Sequence, residues 1–267
     1  MENKVTMIIP LYNKALYIES TLNSVLNNYE YENFECIVVD DESTDGSSEI
    51  AWNFCKEHSD IFKYVKIQHQ GGNNPSNARN VGIKLADSEY ICFLDADDEL
   101  LPGFITRAMH YYNSFEIDLY VENSTVTVFN DDNVYSRIPN KEEIKFITSY
   151  NFIAESPYIP HFCACMYKTK IVKDTTFLDM MSEDLTFLFC YSYKSGNILI
   201  NYSENAFHYH NERSELAPIH KVENENYLIN VVETCNTIFN NKFPLYVEYT
   251  ANTEGGWNWI INSRDLK

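Results

Sequence analysis

Short apolar runs alternate with stretches whose apolar residues recur every three or four positions, and this alternation fills the first half of the chain. Val5–Pro10 (VTMIIP) reads as a buried strand, after which Leu16, Leu22, Val25 and Leu26 keep helical spacing through Asn27. Phe34–Val39 (FECIVV) predicts a second strand ending in Asp40 and Asp41, and a helix follows from a cap at Asp45. Tyr64–His69, Ser76–Ala86 and Tyr90–Leu94 read as strand, helix and strand, and Pro102 and Gly103 punctuate the start of a helix over Phe104–Phe115. Such alternation predicts an α/β architecture with a doubly wound, mainly parallel sheet.

The second half is less regular. Asp118–Phe129 reads as strand, Asn130–Asn140 as a polar turn region and Lys141–Ala154 as helical. His161–Lys168 alternates like a strand, Ser182–Ser195 has helical spacing, and NILINYSENAFHYH returns to strand. From Lys221 helical periodicity continues through Ile238 and gives way to an aromatic end, GGWNWIINSRDLK. The expected organisation is one domain over 1–215, with a nucleotide-binding half at about 1–100 and an acceptor-side half at about 101–215. A mainly helical extension over 216–267 follows.

In a doubly wound sheet, ligands bind beyond the carboxyl ends of the strands. Polar clusters fall at those positions: YNK after the first strand, DDESTD after the second, QGGNNPSNARN after the third and DADD after the fourth. Four clusters at one sheet edge make a site. The last lies within FLDADDELL (Phe93–Leu101), where Asp95, Asp97, Asp98 and Glu99 crowd behind an apolar run. Charges so close repel, so either the turn is solvated or something positive sits there. Hard carboxylate oxygens of a D-x-D at a strand end suit Mg²⁺ or Mn²⁺, which keep waters and bridge substrate phosphates.

Composition narrows the partners. The 267 residues carry 39 acids against 20 bases, a net charge of -19. That balance argues against nucleic acid and against docking on an anionic membrane by charge. Seven cysteines include no C-x-x-C pair and no zinc-like spacing, so buried free thiols in a reducing cytoplasm are expected. The apolar run near the amino terminus is too short for a signal peptide or a span. The expected location is cytoplasmic, with a peripheral place at the inner face of a membrane left open.

PLYN (Pro10–Asn13), VVDDESTDGS (Val38–Ser47), NARNVGI (Asn77–Ile83), FLDADD (Phe93–Asp98) and SED (Ser182–Asp184) occur in that order. The set closely resembles the family 2 glycosyltransferases of the GT-A fold, inverting enzymes that use nucleotide-sugar donors. The resemblance runs from Val5 to about Ser214; the segment from Ala217 onward resembles nothing specific. It implies that Pro10, Tyr12 and Asn13 line a nucleotide pocket, and that Asp41 accepts a hydrogen bond from a uracil imide. Arg79 would lie near the base and donor phosphates. Asp95, with Ala96 beside it, would address ribose or sugar hydroxyls. Asp97 would ligate the metal, with His210 completing its shell, and Asp184 would be the general base. The implied reaction is hexosyl or N-acetylhexosaminyl transfer from a UDP-sugar to a glycan, lipid-linked or protein-linked acceptor.

Plainer readings stand beside these. Asp40 and Asp45 suit turn and cap roles. Glu183 is either solvated or orients an acceptor, and Arg79 could pair with a carboxylate for structure alone. His208 and His210 could merely share one face of a strand. Met181 stands where the family often has Gly, and Asn73, Asn74 and Pro75 make an unusual loop before NARN. Two other functions compete: a non-catalytic nucleotide-sugar or glycan-binding module, and a nucleotidyltransferase. The second expects a Gly-rich basic loop after the first strand, where this chain has PLYNKALY. A dinucleotide oxidoreductase is disfavoured because no G-x-G-x-x-G follows that strand.

Overall fold

The first two strands are apolar on both faces because helices cover both. Every residue of β1 (Val5–Leu11) and β2 (Phe34–Asp40) is buried, as expected for parallel strands sandwiched between helical layers. The computed structural model describes residues 4–27, 33–69, 74–128, 134–136, 143–154, 161–180, 182–211, 222–251 and 257–263.

Between the strands, α1 (Ile18–Asn27) turns Ile18, Leu22 and Val25 inward, and α2 (Ser47–Glu57) buries Ala51 and Cys55 before β3 (Phe62–Lys66). Next come α3 (Ser76–Leu85), β4 (Tyr90–Phe93), a short β5 (Glu99–Leu100) and α4 (Phe104–Ser114). Gly82 lets α3 lie directly on β1: a Cβ there would fall 2.4 Å from Ile8 Cγ2. The second half supplies β6 (Leu119–Val128), β7 (Val134–Ser136), β8 (Ile144–Thr148), α5 (Ser149–Ala154), β9 (Cys165–Lys168) and α6 (Thr169–Val172). It continues with α7 (Glu183–Lys194) and β10 (Asn197–Asn211). The carboxyl-terminal part is α8 (Val222–Ile238), β11 (Leu245–Ala251) and β12 (Trp257–Ser263).

The main sheet runs β3-β2-β1-β4-β9-β6-β10-β5, with β7 on β6 and β8 on β10. β1 is parallel to β2 and β4, β2 to β3, and β6 to β10; β9 enters antiparallel between β4 and β6. The carboxyl ends of β1 to β4 therefore share one edge, which is where the polar clusters were expected.

Three boundaries differ from the sequence pattern. β3 begins at Phe62 and ends at Lys66, earlier than Tyr64–His69, so His69 belongs to the loop beyond the strand. The helix expected over Lys141–Ala154 is confined to α5, because Ile144–Thr148 pair antiparallel with Asn197–Asn201 of β10. Pairing with a neighbouring strand overrides a short helical periodicity. The extension is not only helical: its aromatic end is β12, which forms a two-stranded antiparallel sheet with β11. The boundary at 216 falls outside the described residues. α8 is fastened to the main core, with Val231, Val232 and Cys235 fully buried, and Asn236 Nδ2 donates to the Leu245 carbonyl at 2.8 Å. All seven cysteines are free and buried, as expected. Among the described residues no helix is long and apolar enough to cross a membrane.

Candidate active site

The shared edge opens into a cavity of about 560 Å³. Pro10, Leu11, Tyr12 and Lys14 reach it from the end of β1, Asp41 from β2 and His69 from beyond β3. Asn74, Pro75, Ala78 and Arg79 come from the start of α3, Asp95, Ala96 and Asp97 from beyond β4, and Phe162, Glu183 and Asp184 from the second half. Of the residues anticipated for the site, Pro10, Tyr12, Asp41, Arg79, Asp95, Ala96, Asp97 and Asp184 meet here. Asn13 is not among the lining residues. Its backbone is left-handed, its N–H donates to Ser43 Oγ at 3.0 Å, and its Oδ1 accepts from the Thr44 N–H at 2.8 Å. It ties the loop after β1 to the loop after β2. His210 lies on β10 opposite Thr127, but its side chain, like that of His208, is outside those described.

The adjacent acids of the VVDD run part company. Asp40 is fully buried and accepts from the Ser43 N–H at 2.9 Å, from the Tyr64 hydroxyl at 2.5 Å and from the Ser48 hydroxyl. Burial pushes its pKa up, yet those hydrogen bonds outweigh burial and leave it below the usual carboxylate value. It shapes the loop, as the turn reading had it. Asp45 does likewise, accepting from the Ser47 N–H at 3.0 Å and from the Ala15 N–H at 2.9 Å. Asp41 turns into the cavity instead. Its Oδ2 lies 2.9 Å from His69 Nδ1, while its Oδ1 is buried with no hydrogen-bond partner among the described residues. His69 in turn stacks on Tyr12, with ring centroids 5.1 Å apart and planes 10° from parallel.

Arg79 forms the floor. It is only 2% exposed, and its guanidinium lies over the Phe162 ring at 4.3 Å. Nη2 donates to Asp95 Oδ1 and Nη1 to Glu183 Oε1, both at 2.8 Å. One cation thus ties the strand-end D-x-D to the start of α7. The two acids respond in opposite directions. Burial would raise Asp95, but the charges of Arg79, His161 and Lys14 hold it below its ordinary value. For Glu183 burial wins: with Asp184 adding repulsion, Arg79 offsets it only in part and the pKa is raised. Divergent pKa shifts among neighbouring carboxylates are a property of functional sites.

The rim carries the remaining acids. Asp97 pairs with Lys14, Nζ to Oδ2 at 2.5 Å, both side chains being about one-third exposed (37% and 29%). Asp184 Oδ1 accepts from the Leu185 N–H at 2.7 Å. It follows Ser182, whose left-handed backbone (φ 74°) turns the chain into α7. Among the described residues no group of three or more His, Cys, Asp or Glu could hold a metal ion unaided. The donor set still fits Mg²⁺ or Mn²⁺ in the usual way, through one or two carboxylates plus substrate phosphates. Asp97 lines the cavity with a carboxylate of that kind.

Lys14, His69 and Phe162 were not singled out from the sequence, and Glu183 was left balanced between two roles. Lys14 and His69 had a weak signal, since each stands in or beside a polar cluster at a strand end. Phe162 had none, because one more aromatic in an aromatic-rich run is unremarkable until Arg79 is found beneath it.

The family model for glycosyl transferase family 2 matches residues 6–176. An uncharacterised glycosyltransferase of Rickettsia bellii is 36% identical over 148 residues, 55% of this chain and 19% of that protein. The minor teichoic acid biosynthesis protein GgaB of Bacillus subtilis is 33% identical over 117 residues, 43% of this chain and 13% of its own length. The chain thus spans less than a fifth of either relative. Among solved structures, S. aureus TarS 1–349 in complex with UDP-GlcNAc superimposes with a TM-score of 0.66 at 22% identity, covering 87% of this chain and 66% of that one. At that identity the likeness speaks to the fold, which is GT-A.

Proposed function

The chain belongs to glycosyl transferase family 2, and from that premise we propose that its cavity transfers a sugar from a UDP-sugar to a hydroxyl of a cell-envelope glycan. The observation that carries the reading is one cavity that gathers a stacking ring (Tyr12), a buried carboxylate with an unfilled acceptor oxygen (Asp41) and two rim carboxylates (Asp97, Asp184). Its volume falls in the range of small-molecule sites. The UDP-GlcNAc bound to TarS supports the donor class, and the teichoic acid role of GgaB supports the acceptor class.

In this reading the base packs against Tyr12 and donates its ring N–H to Asp41. Asp95, fixed by Arg79, addresses the ribose or sugar hydroxyls. Asp184 takes the proton of the acceptor hydroxyl as that oxygen bonds to the anomeric carbon. The bond from the anomeric carbon to the diphosphate breaks on the opposite face, its electron pair leaves with the nucleoside diphosphate, and the configuration inverts. Asp97 would hold the Mn²⁺ or Mg²⁺, which when bound neutralises the negative charge of the departing diphosphate. Arg79 works from beneath, holding Asp95 and Glu183 in place.

A panel of nucleotide-sugars with Mn²⁺, read by thermal shift and by release of nucleoside diphosphate, tests this. One UDP-sugar should raise Tm by mass action and be turned over. Binding without turnover across acceptors of several glycan classes would favour a non-catalytic binding module. No binding by any nucleotide-sugar would refute the reading.

A further inference from the structure

We infer that His69 is a positioning and specificity-determining residue, holding Asp41 so that its second oxygen selects a donor base with a ring N–H. The inference rests on the nucleotide-sugar reading above. Asp41 is 6% exposed, and among the described residues only one of its carboxylate oxygens has a partner, Oδ2 against His69 Nδ1 at 2.9 Å. A carboxylate oxygen can only accept there, so the proton in that contact is on His69 Nδ1. His69 is itself held. Its ring stacks on Tyr12, and its backbone N–H donates to Glu42 Oε2 at 3.2 Å. The carboxylate is therefore held through one oxygen, and Oδ1 is a buried acceptor of a residue that lines the cavity. The Asp41 N–H donates to the Leu11 carbonyl at 2.8 Å, which locks the main chain beneath it.

A buried acceptor so held discriminates by chemistry. The imide N3–H of uracil can donate to it. Cytosine presents a lone pair at N3, which a carboxylate oxygen repels, and leaves the buried acceptor unpaired. Were the carboxylate free to rotate, either oxygen could turn to water or to an exocyclic amine, and the distinction would shrink. His69 thus acts through Asp41.

The test compares UDP and CDP binding by calorimetry in the wild type, His69→Ala and His69→Asn. The wild type should prefer UDP. His69→Ala should weaken UDP about tenfold, the scale of one polar contact, and leave CDP nearly unchanged, so the ratio collapses. His69→Asn, whose amide nitrogen can stand in for Nδ1, should recover most of the preference. With a UDP-sugar, His69→Ala should raise KM and leave kcat close to wild type. Unchanged melting temperatures would show that the fold is intact. A His69→Ala protein that keeps the UDP preference, or binds UDP more tightly, overturns the inference and leaves the donor reading standing. A wild type that binds neither diphosphate overturns both.

Discussion

Arg79→Met removes the one cation that bridges two carboxylates beneath the cavity and keeps most of the apolar volume beside Phe162 and Phe177. The loss should therefore be mainly electrostatic. Removing one partner of a buried ion pair costs roughly 3–5 kcal/mol, because the charge left behind has no counterpart. Here two acids are left, but neither is sealed: the Asp95 side chain is 24% exposed and that of Glu183 13%. Water and protonation relieve part of the cost, so the low end applies, about 3 kcal/mol at neutral pH. At roughly 2–4 °C per kcal/mol for a chain of this size, Tm should fall by about 6–12 °C.

Urea unfolding followed by circular dichroism measures this, with the m-value showing whether the transition stays two-state. A double variant, Arg79→Met with Glu183→Gln, should regain about 1–2 kcal/mol because one uncompensated charge is gone. The penalty should also shrink toward pH 5, since the Glu183 pKa is already raised by burial and rises further without Arg79. A loss under about 1 kcal/mol, independent of pH and of Glu183, would show that the clamp does not hold the site together.

Three further outcomes follow from the same geometry. Asp184→Asn should bind a UDP-sugar as the wild type does while turnover falls by roughly 10²–10⁴-fold, the range for a lost general base; near-normal transfer would mean that another group takes the proton. Gly82→Ala drives a Cβ against Ile8, and an unfolding free energy in urea lowered by about 1–3 kcal/mol is expected, whereas an unchanged value would show that α3 can lift off β1 freely. Asp40, Asp95, Glu35 and Asp118 all have depressed pKa values. Their contribution is full above the unfolded carboxylate pKa and is lost as pH falls through the lower folded values, so stability should drop steeply below about pH 4. Glu183 runs the other way, losing its contribution as pH rises from the ordinary Glu value through its raised one. A profile flat from pH 5 to 3 would contradict the four depressed acids.

The sheet was legible because its early strands are uniformly apolar and its helices keep their spacing. The four strand ends were legible as a site because polar clusters punctuate them. What escaped was set by pairing across the chain. Ile144–Thr148 has no strand signal of its own strong enough to compete with helical spacing, and only the exposed side of β10 decides its state. Asp40 could be read as a turn residue because it closes β2, but the place of Asn13 could not be read. Its amide looks equally suited to a ligand or to a neighbouring loop, and the loop after β2 takes it. Arg79 was anticipated at the cavity and reaches it, yet both its Nη atoms are committed to carboxylates from distant segments. No spacing in the sequence announces that triad.

The crowded acids of FLDADDELL find part of their answer within the chain. Asp95 turns down to Arg79, Asp97 turns out to Lys14, and Asp98 is buried at the turn, where its N–H donates to the Asp95 carbonyl at 3.1 Å. The Asp95 and Asp97 carboxylates therefore point to different cations, which relieves the repulsion that their spacing implies. The two cations are not equivalent. Arg79 is almost wholly buried, with both Nη atoms on carboxylates. Lys14 is a partly exposed ammonium paired with one of the carboxylates that line the cavity, and an exposed pair of that kind is worth about 1 kcal/mol or less. A divalent ion held at Asp97 would therefore displace it at little cost, whereas without one Lys14 keeps that carboxylate paired.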